Sequence, residues 1–479
     1  MILYQKQNPY LATLGKKNIL NEILTAKRLE VEDFKSGLGS NLPEPLPSNK
    51  SFKKVIGSKE ASFIFEYKKA SPSLGPIRPN ANLEEIAKFY EKKADCISVL
   101  TDPLFFGGSY SDLSHMHAIT TKPLLCKDFF IDDIQVKNAR LNGADAILLM
   151  LSALNDKMYL RLRAKAKSYN MDVLTEIHDE GELARALYLD AEIIGINNRN
   201  LKDLNVSINT TRRLSPQIPK NCLVVSESGY LNRKDIRTNA KYSDAFLVGS
   251  TVMANTDPEA KINELTLDKV KVCGLTRLED ATQAADLGAH YGGLIFAPIS
   301  PRYLTLGKAK TIIKENRLDY VGVFLNAPFI EVVEIAHALK LGAVQLHGSE
   351  TSQYRKNLKK LLPVNCKIIQ AFQVDNKIPN DFPKNTDYVL FDTYSKKNKG
   401  GTGKSFNWKI LKHTPYLDKI FLAGGLNPEN AKDALNEGTY ALDVNSQIEE
   451  GPGVKCSIKM NTFFKNLKAA TPSRKGGLS

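Results

Sequence analysis

Short apolar runs rich in β-branched residues recur along the chain. Each is followed by a longer stretch in which charged and apolar positions alternate with helical spacing. In the first half the runs are SFIFEYKKA (62–70), CISVLTD (96–102), PLLCKDFF (123–130), AILLML (146–151), DVLTEI (172–177), IIGINNR (193–199), CLVVSES (222–228) and AFLVGS (245–250). In the second half they are KVKVCGL (269–275), YGGLIF (291–296), YVGVFL (320–325), AVQLHG (343–348), KIIQAF (367–372), YVLFDT (388–393), IFLAGG (420–425) and YALDVNS (440–446). Runs that are apolar throughout suit strands covered on both faces, and the intervals are long enough for crossover helices. Eight β–α units in roughly 200 residues predict a closed barrel, because open doubly wound sheets more often stop at five or six strands. The chain is therefore predicted to be α/β, with two tandem (β/α)8 (TIM) barrels.

KKNILNEILTAKRLEVEDFK (16–35) precedes the first run and reads as an amphipathic helix. Gly and Pro in GLGSNLPEPLPSNK end it. It is expected to be an added N-terminal segment covering one end of the first barrel. ANTDPEAKINELTLD (254–268) has no strand and carries Pro and charge, which sets domains of 1–256 and 257–479. The tail TPSRKGGLS is expected to lie outside the fold.

Composition excludes disordered, collagenous and fibrous chains: 42% of residues are hydrophobic and 25% charged. The net charge of +14 comes from Lys scattered through helical stretches, with no basic run interleaved with aromatics. That argues against nucleic acid and fits anionic small substrates. Six cysteines (96, 126, 222, 273, 366 and 456) form no CxxC pair, so a reducing compartment is expected. The longest apolar run, AILLMLSAL, is short of the ~18 residues of a membrane span. The N-terminus has no uninterrupted apolar core, so no signal peptide is expected. A cytoplasmic protein without a membrane partner is the expectation. His115 and His117 in SHMH do not share a helix face, so no metal site is expected there.

In (β/α)8 enzymes a phosphate often sits between the loops after strands 7 and 8, where small residues let backbone N–H groups approach it. The first half ends these strands with SESGY and LVGS, the second with AGGLN and DVNSQIE. Gly229 to Ser250 and Gly425 to Ser446 are both 21 positions apart. A lone Gly-rich turn can be just a tight turn, but two matched pairs predict two phosphate sites.

Charged residues also stand where buried strands should be apolar. They are Glu66 and Lys68 (with Ser71 just beyond), Lys127, Glu176, Asn197 and Arg199, and Glu227 with Ser228. In an all-parallel barrel these strand ends converge on one mouth. The set reads either as structural ion pairs closing the barrel or as an acid–base site, since buried charge persists mainly where it is paired or functional. In the second half, Cys273 and Asp392 end strands 1 and 6 and could form a base–acid pair, although either alone suits a core thiol or a helix cap. KKNKGGTGKSFNW (396–408) is a Gly-rich loop that suits a lid and lacks phosphate-loop spacing.

FEYKKASPS, LCKDFF, TEIH, IGINNRNL, SESGY and LVGS resemble indole-3-glycerol-phosphate synthase in order and spacing. The resemblance implies Lys127 as general acid of ring closure and Glu176 and Lys68 in later proton transfers. Glu66 and Glu227 would position the lysines and substrate hydroxyls. Asn197 and Arg199 would orient the anthranilate end between apolar walls Phe129 and Leu149, with Ser71 and Ser228 contacting substrate. Lys68, Gly229, Gly249 and Ser250 would hold the phosphate.

KVCGLTR, SPRY, QLHG, FDTYS, KGGTGKSF and LAGGLNPEN together resemble phosphoribosylanthranilate isomerase. That resemblance implies Asp392 as the acid for the ring oxygen and Cys273 as the base for the C2 proton. Arg302 would meet the anthranilate carboxylate, His347 would line the site, and Gly424, Gly425, Asn445 and Ser446 would hold phosphate. The stretch DVNSQIE departs from the family's DVSSGVE at Asn445 and Gln447. The expected protein is a monomeric bifunctional chain acting on small phosphorylated anthranilates, with no metal or redox cofactor. A pair of other sugar-phosphate barrels, such as an aldolase with a Schiff-base lysine, and a catalytically silent phosphate-binding scaffold are the alternatives.

Overall fold

The computed structural model describes residues 19–58, 60–200, 204–375, 377–379, 381–393, 405–468 and 473–474. Two compact units divide the chain, the first ending at Leu265 and the second beginning at Thr266. In the first, β1 (Ser62–Tyr67), β2 (Cys96–Leu100), β3 (Leu124–Lys127), β4 (Ala146–Met150), β5 (Asp172–Ile177), β6 (Ile193–Asn197), β7 (Leu223–Glu227) and β8 (Ala245–Val248) close into a barrel. In the second, β9 (Lys269–Val272), β10 (Tyr291–Ile295), β11 (Asp319–Phe324), β12 (Ala343–Leu346), β13 (Lys367–Val374), β14 (Tyr388–Thr393), β15 (Ile420–Leu422) and β16 (Ala441–Val444) do the same. Neighbouring strands are parallel, including the closing pairs β1–β8 and β9–β16. The two (β/α)8 barrels are those the hydrophobic pattern predicts.

The period of two along each strand sorts side chains into two cores. On β1, Phe63, Phe65 and Tyr67 face the helices, whereas Ile64 faces the barrel interior. On β4, Ile147 and Leu149 face the helices, whereas Leu148 and Met150 face inward. The boundary differs from residue 256 because the helix Pro258–Thr266 belongs to the first unit: Ile262 and Leu265 pack in its outer core, and Leu267 opens that of the second. Ser473 and Arg474 also belong to the first unit rather than outside the fold. Ser473 Oγ donates to the Ser58 carbonyl and the Arg474 N–H to that of Ser243.

The N-terminal segment forms α1 (Ile19–Ser36). Leu20, Ile23 and Leu24 pack with Phe129, Leu148 and Met150 at the C-terminal end of the strands. At the opposite end α2 (Phe52–Ile56) places Phe52 and Ile56 in the same inner core, and the Lys53 N–H donates to Asp172 at the start of β5. One buried side chain pins α1. The Lys27 ammonium, 1% exposed, lies 2.8 Å from Asp128, 3.0 Å from Asp102 and 2.8 Å from Glu30. Burial alone would lower its pKa, but the three carboxylates outweigh this and raise it. Asp102 and Asp128 follow β2 and β3, so Lys27 ties α1 to the rim that carries Lys127.

Removing one partner from a buried ion cluster costs about 3–5 kcal/mol, because the remaining charges are left desolvated and unpaired. Lys27→Met is therefore expected to lower the unfolding free energy of the first barrel by that amount, and its denaturant midpoint in proportion. The single tryptophan, Trp408, lies in the second barrel. Circular dichroism should show the loss while the Trp408 fluorescence transition stays in place.

Candidate active sites

The inward residues of the last layer of the first barrel are charged. Lys127 Nζ lies 2.9 Å from Glu227 Oε2 and 3.1 Å from Glu66 Oε2, and Lys68 Nζ lies 2.8 Å from Glu66 Oε1. Glu66 and Glu227 are buried, while both lysines retain partial exposure toward a cavity of about 580 Å³. Two glycines make room for this lattice. A Cβ on Gly249 would meet Glu66 Oε1 at 2.4 Å, and one on Gly195 would meet Glu227 Oε1 at 2.3 Å.

Burial would raise the Glu66 pKa, but Lys127 and Lys68 pull it down to about 2. Glu227 behaves oppositely. Burial, reinforced by the nearby carboxylates of Glu176 and Glu66, pushes it up to about 7 despite Lys127. Lys127 is disfavoured by burial but stays above its ordinary value because Glu227, Glu66 and Glu176 surround it. It therefore carries its proton throughout the physiological range.

Lys68, Ser71, Phe129, Glu176, Asn197, Arg199, Ser228, Gly229, Gly249 and Ser250 all line this cavity, as do Ile19 and Ile23 of α1. Phe129 packs against Phe106 with ring centroids 6.1 Å apart. Ser228 and Gly229 both have positive φ, 66° and 89°, which turns the chain sharply after β7. Asn197 Oδ1 accepts from the Arg199 N–H at 3.0 Å, setting the loop that follows β6. Leu149 is a correction: it points into the helix-facing core, and the apolar wall is made by Leu148 and Met150. The alternation of β4 already decides this, because Leu149 has the opposite parity to its lining neighbours.

In the second barrel a cavity of about 660 Å³ is lined by Cys273, Arg302, His347, Asp392, Gly424, Gly425, Asn445 and Ser446. Asp392 Oδ1 accepts the Thr393 N–H at 2.8 Å, yet burial, with the charge of Asp443 added, raises its pKa to about 6. Burial also pushes the Cys273 thiol up, against the pull of Lys271. His347 is held down to about 4 by burial and by Lys271, so it is neutral near pH 7. Its Nδ1 lies 3.1 Å from Gln345 Nε2. Arg302 gives Nε and Nη2 to Glu449, at 2.9 and 2.6 Å. Gly424 and Gly425 have φ of 85° and 65°, and a Cβ on Gly424 would meet Thr393 Oγ1 at 2.2 Å.

The departure at Asn445 has a structural partner. Its Oδ1 accepts from Lys455 Nζ at 3.0 Å, and Lys455 is itself 2.8 Å from Glu449. The longer amide thus joins the β16 loop to the pair that holds Arg302. Gln447 lines the same cavity, and nothing in the structure explains it. Residues 396–404 of the candidate lid lie outside the described residues. Among the described residues no three His, Cys, Asp or Glu side chains are grouped to hold a metal ion, and no helix is long and apolar enough to cross a membrane.

Sequence reasoning missed three sets of polar groups around these sites. Lys27, Asp102 and Asp128 lie beside Lys127. His178 Nε2 is 3.4 Å from Glu176 Oε1, and its Nδ1 is 3.2 Å from Glu182. Lys271 and Asp443 lie within the second barrel. Lys271 in KVKVC, Asp443 in YALDVNS, Asp128 in PLLCKDFF and Asp102 in CISVLTD carried a local signal, each a charge in an apolar run.

Comparison with known proteins matches the two halves of the chain to two families. The family profile described as indole-3-glycerol phosphate synthase matches residues 20–265. The profile described as N-(5'phosphoribosyl)anthranilate (PRA) isomerase matches residues 270–466. The tryptophan biosynthesis protein TrpCF of Yersinia pestis is 42% identical over 454 residues, covering 94% of this chain and 94% of the relative. The TrpCF of Helicobacter pylori is 44% identical over 458 residues, covering 94% and 99%. That of Buchnera aphidicola subsp. Diuraphis noxia is 46% identical over 420 residues, covering 88% and 91%. The chain belongs to the family of bifunctional tryptophan biosynthesis proteins that join an indole-3-glycerol phosphate synthase to a phosphoribosylanthranilate isomerase.

Proposed function

We propose a division of labour among the residues of the two cavities, within the family's two activities. The C-terminal barrel isomerises N-(5'-phosphoribosyl)anthranilate to the carboxyphenylamino-deoxyribulose phosphate, and the N-terminal barrel closes the indole ring with loss of CO2 and water. The observation that carries the first assignment is Lys127, clamped between Glu66 and Glu227 at the cavity edge. Its proton is permanently available, and the developing alkoxide of ring closure is basic enough to accept it. Lys68 and Glu176 serve the later proton transfers. Phe129 with Leu148 and Met150 forms the wall for the aromatic ring, and Arg199 and Asn197 orient its carboxylate end. Ser71 and Ser228 complete the substrate contacts, and Lys68, Gly229, Gly249 and Ser250 hold the phosphate.

In the second cavity Asp392, whose pKa burial raises to about 6, gives its proton to the ring oxygen as the C1–O bond breaks. Cys273, as thiolate, takes the C2 proton, and the resulting enolamine becomes the 2-ketone. Arg302 takes the anthranilate carboxylate through the edge of its guanidinium that Glu449 does not hold. Gly424, Gly425, Asn445 and Ser446 hold the phosphate, and neutral His347 lines the wall. Each step moves protons and breaks bonds in an organic phosphate, which is chemistry these side chains can supply. A monomeric, cytoplasmic chain is part of the same proposal. None of the six cysteines is paired in a disulfide, which fits a reducing compartment.

The two charged sets do not mix between barrels. Lys127→Ala is expected to abolish indole-glycerol phosphate formation and leave isomerisation intact, and Cys273→Ala the reverse. Separate assays on each intermediate would overturn the assignment if either change removed both activities.

Cys273→Ser and Asp392→Asn keep shape but remove the base and the acid. Each should lower isomerase kcat by about 10²–10⁴ with little change in KM, because the carboxylate and phosphate contacts remain. Steady-state turnover within a few-fold of the parent for both variants would exclude Cys273 and Asp392 as base and acid.

Gly249 is constrained twice, by the phosphate and by Glu66. Its Cβ would displace Glu66 Oε1, which in turn holds Lys127. Gly249→Ala is therefore expected to lower synthase kcat by at least about tenfold as well as raise KM, on the logic that separates transition-state from uniform binding. A rise in KM alone would show that Gly249 serves only the phosphate.

A further inference from the structure

Beneath the second cavity lies a buried ion pair that the reading above does not use. Lys271 and Asp443 are partners in the β9–β16 register, with Nζ 3.0 Å from Oδ1. Lys271 is fully buried and does not line the cavity, whereas Asp443 lines it beside Cys273 and Asp392. Residues 271 and 273 are two apart, so both side chains point inward. The register continues through Cys273, whose N–H donates to the Val444 carbonyl at 2.9 Å. A Cβ on Gly293 would meet Cys273 Sγ at 2.8 Å, so the sulfur is backed by glycine on the β10 side. We propose that Lys271, held by Asp443, is the positioning residue that sets Cys273 and Asp392 in opposite protonation states. This inference rests on Cys273 as base and Asp392 as acid.

The physics is that of two charges acting on two neighbours in a dry space, where Coulomb interactions are poorly screened. Burial opposes the Cys273 thiolate. Lys271 is the main group opposing that effect, Lys455 adds to it, and Asp443 works against it. Arg302 also faces the sulfur, and His347 is neutral. For Asp392, burial favours the protonated acid, Asp443 reinforces this, and Lys271 opposes it. The lysine end of the pair thus favours a charged base, and the carboxylate end favours an uncharged acid. A lone lysine would favour ionisation of both groups, and a lone carboxylate would suppress ionisation of both. The pair thus works toward a thiolate at Cys273, against the burial that holds the thiol above its ordinary value, and toward a carboxylic acid at Asp392.

The thiolate fraction of Cys273 can be read without turnover, from the pH dependence of its alkylation by iodoacetamide, followed by mass spectrometry of the Cys273 peptide. In K271M the midpoint should move to higher pH by at least about one unit, equivalent to a tenfold loss of reactivity at fixed pH. Isomerase kcat should fall by at least about tenfold while KM stays within about twofold, because Lys271 does not touch substrate. K271R should restore much of both. K271M leaves Asp443 unpaired, so the double variant K271M/D443N, which buries no lone charge, carries the test if the single variant does not fold. It should shift in the same direction by a smaller amount. A midpoint that stays in place or moves down in either folded variant overturns the inference. Failure of the base assignment is separable: Cys273→Ser would then turn over normally while the K271M alkylation shift persisted.

Discussion

A charge removed from water must be paired, and a closed parallel barrel leaves few places to do so. Its eight strand ends meet on one mouth, and every inward side chain of the last layer shares one small volume. In the first barrel that volume holds Glu66, Lys127 and Glu227, with Lys68 on the outer side of Glu66. Each depends on the next. Without Lys127 two buried carboxylates would face one another, a loss that buried ion clusters cannot absorb cheaply. The glycines at 195 and 249 exist at these positions because the carboxylates occupy the space a Cβ would need. Backbone choice, charge and chemistry are therefore one constraint in this mouth.

The second barrel meets the same constraint differently. It keeps its ion pair one layer lower, as Lys271–Asp443, and exposes a thiol and a raised carboxyl above it. In the proposed ring closure the acid is a lysine that is always charged, and Lys127 reaches the cavity edge. In the proposed isomerisation one group is charged and one neutral, and Lys271 is withdrawn from the cavity while Asp443 lines it beside the reacting groups. The loops proposed to hold phosphate are alike, with positive-φ glycines after the seventh strand in both barrels. On that proposal the shared architecture serves the shared part of the substrate, and the difference lies where the bonds change.

Much of this was legible in the sequence because the barrel is regular. Apolar runs gave the strands, and charges inside those runs gave Glu66, Lys127, Glu176 and Glu227. The resemblance puts Leu149 in the cavity wall, whereas the two-residue period of β4 assigns Leu148 and Met150 to the interior. The division at Leu265 was missed because Pro and charge in residues 254–268 read as a linker, whereas Ile262 and Leu265 are core residues. Lys27 was not legible at all. A lysine in an amphipathic helix reads as solvated surface, and its partners Asp102 and Asp128 are far away in sequence. Non-local pairing of this kind leaves no mark in local composition.

Lys27 also shows how an appended helix becomes part of a catalytic mouth. Apolar contact alone, from Leu20, Ile23 and Leu24, would hold α1 against the rim without choosing its register. Burial energy depends on area and not on direction. An ammonium within 3.0 Å of Asp102 and Asp128 admits only one register, because a slip of one residue would leave those two buried carboxylates without their cation. Asp128 follows Lys127 directly and precedes Phe129, so the helix and the catalytic strand end are located by the same carboxylate. Ile19 and Ile23 then stand over the cavity, where they exclude water from the charges below. In this arrangement the hydrophobic contacts supply attraction, and the buried ion cluster supplies position.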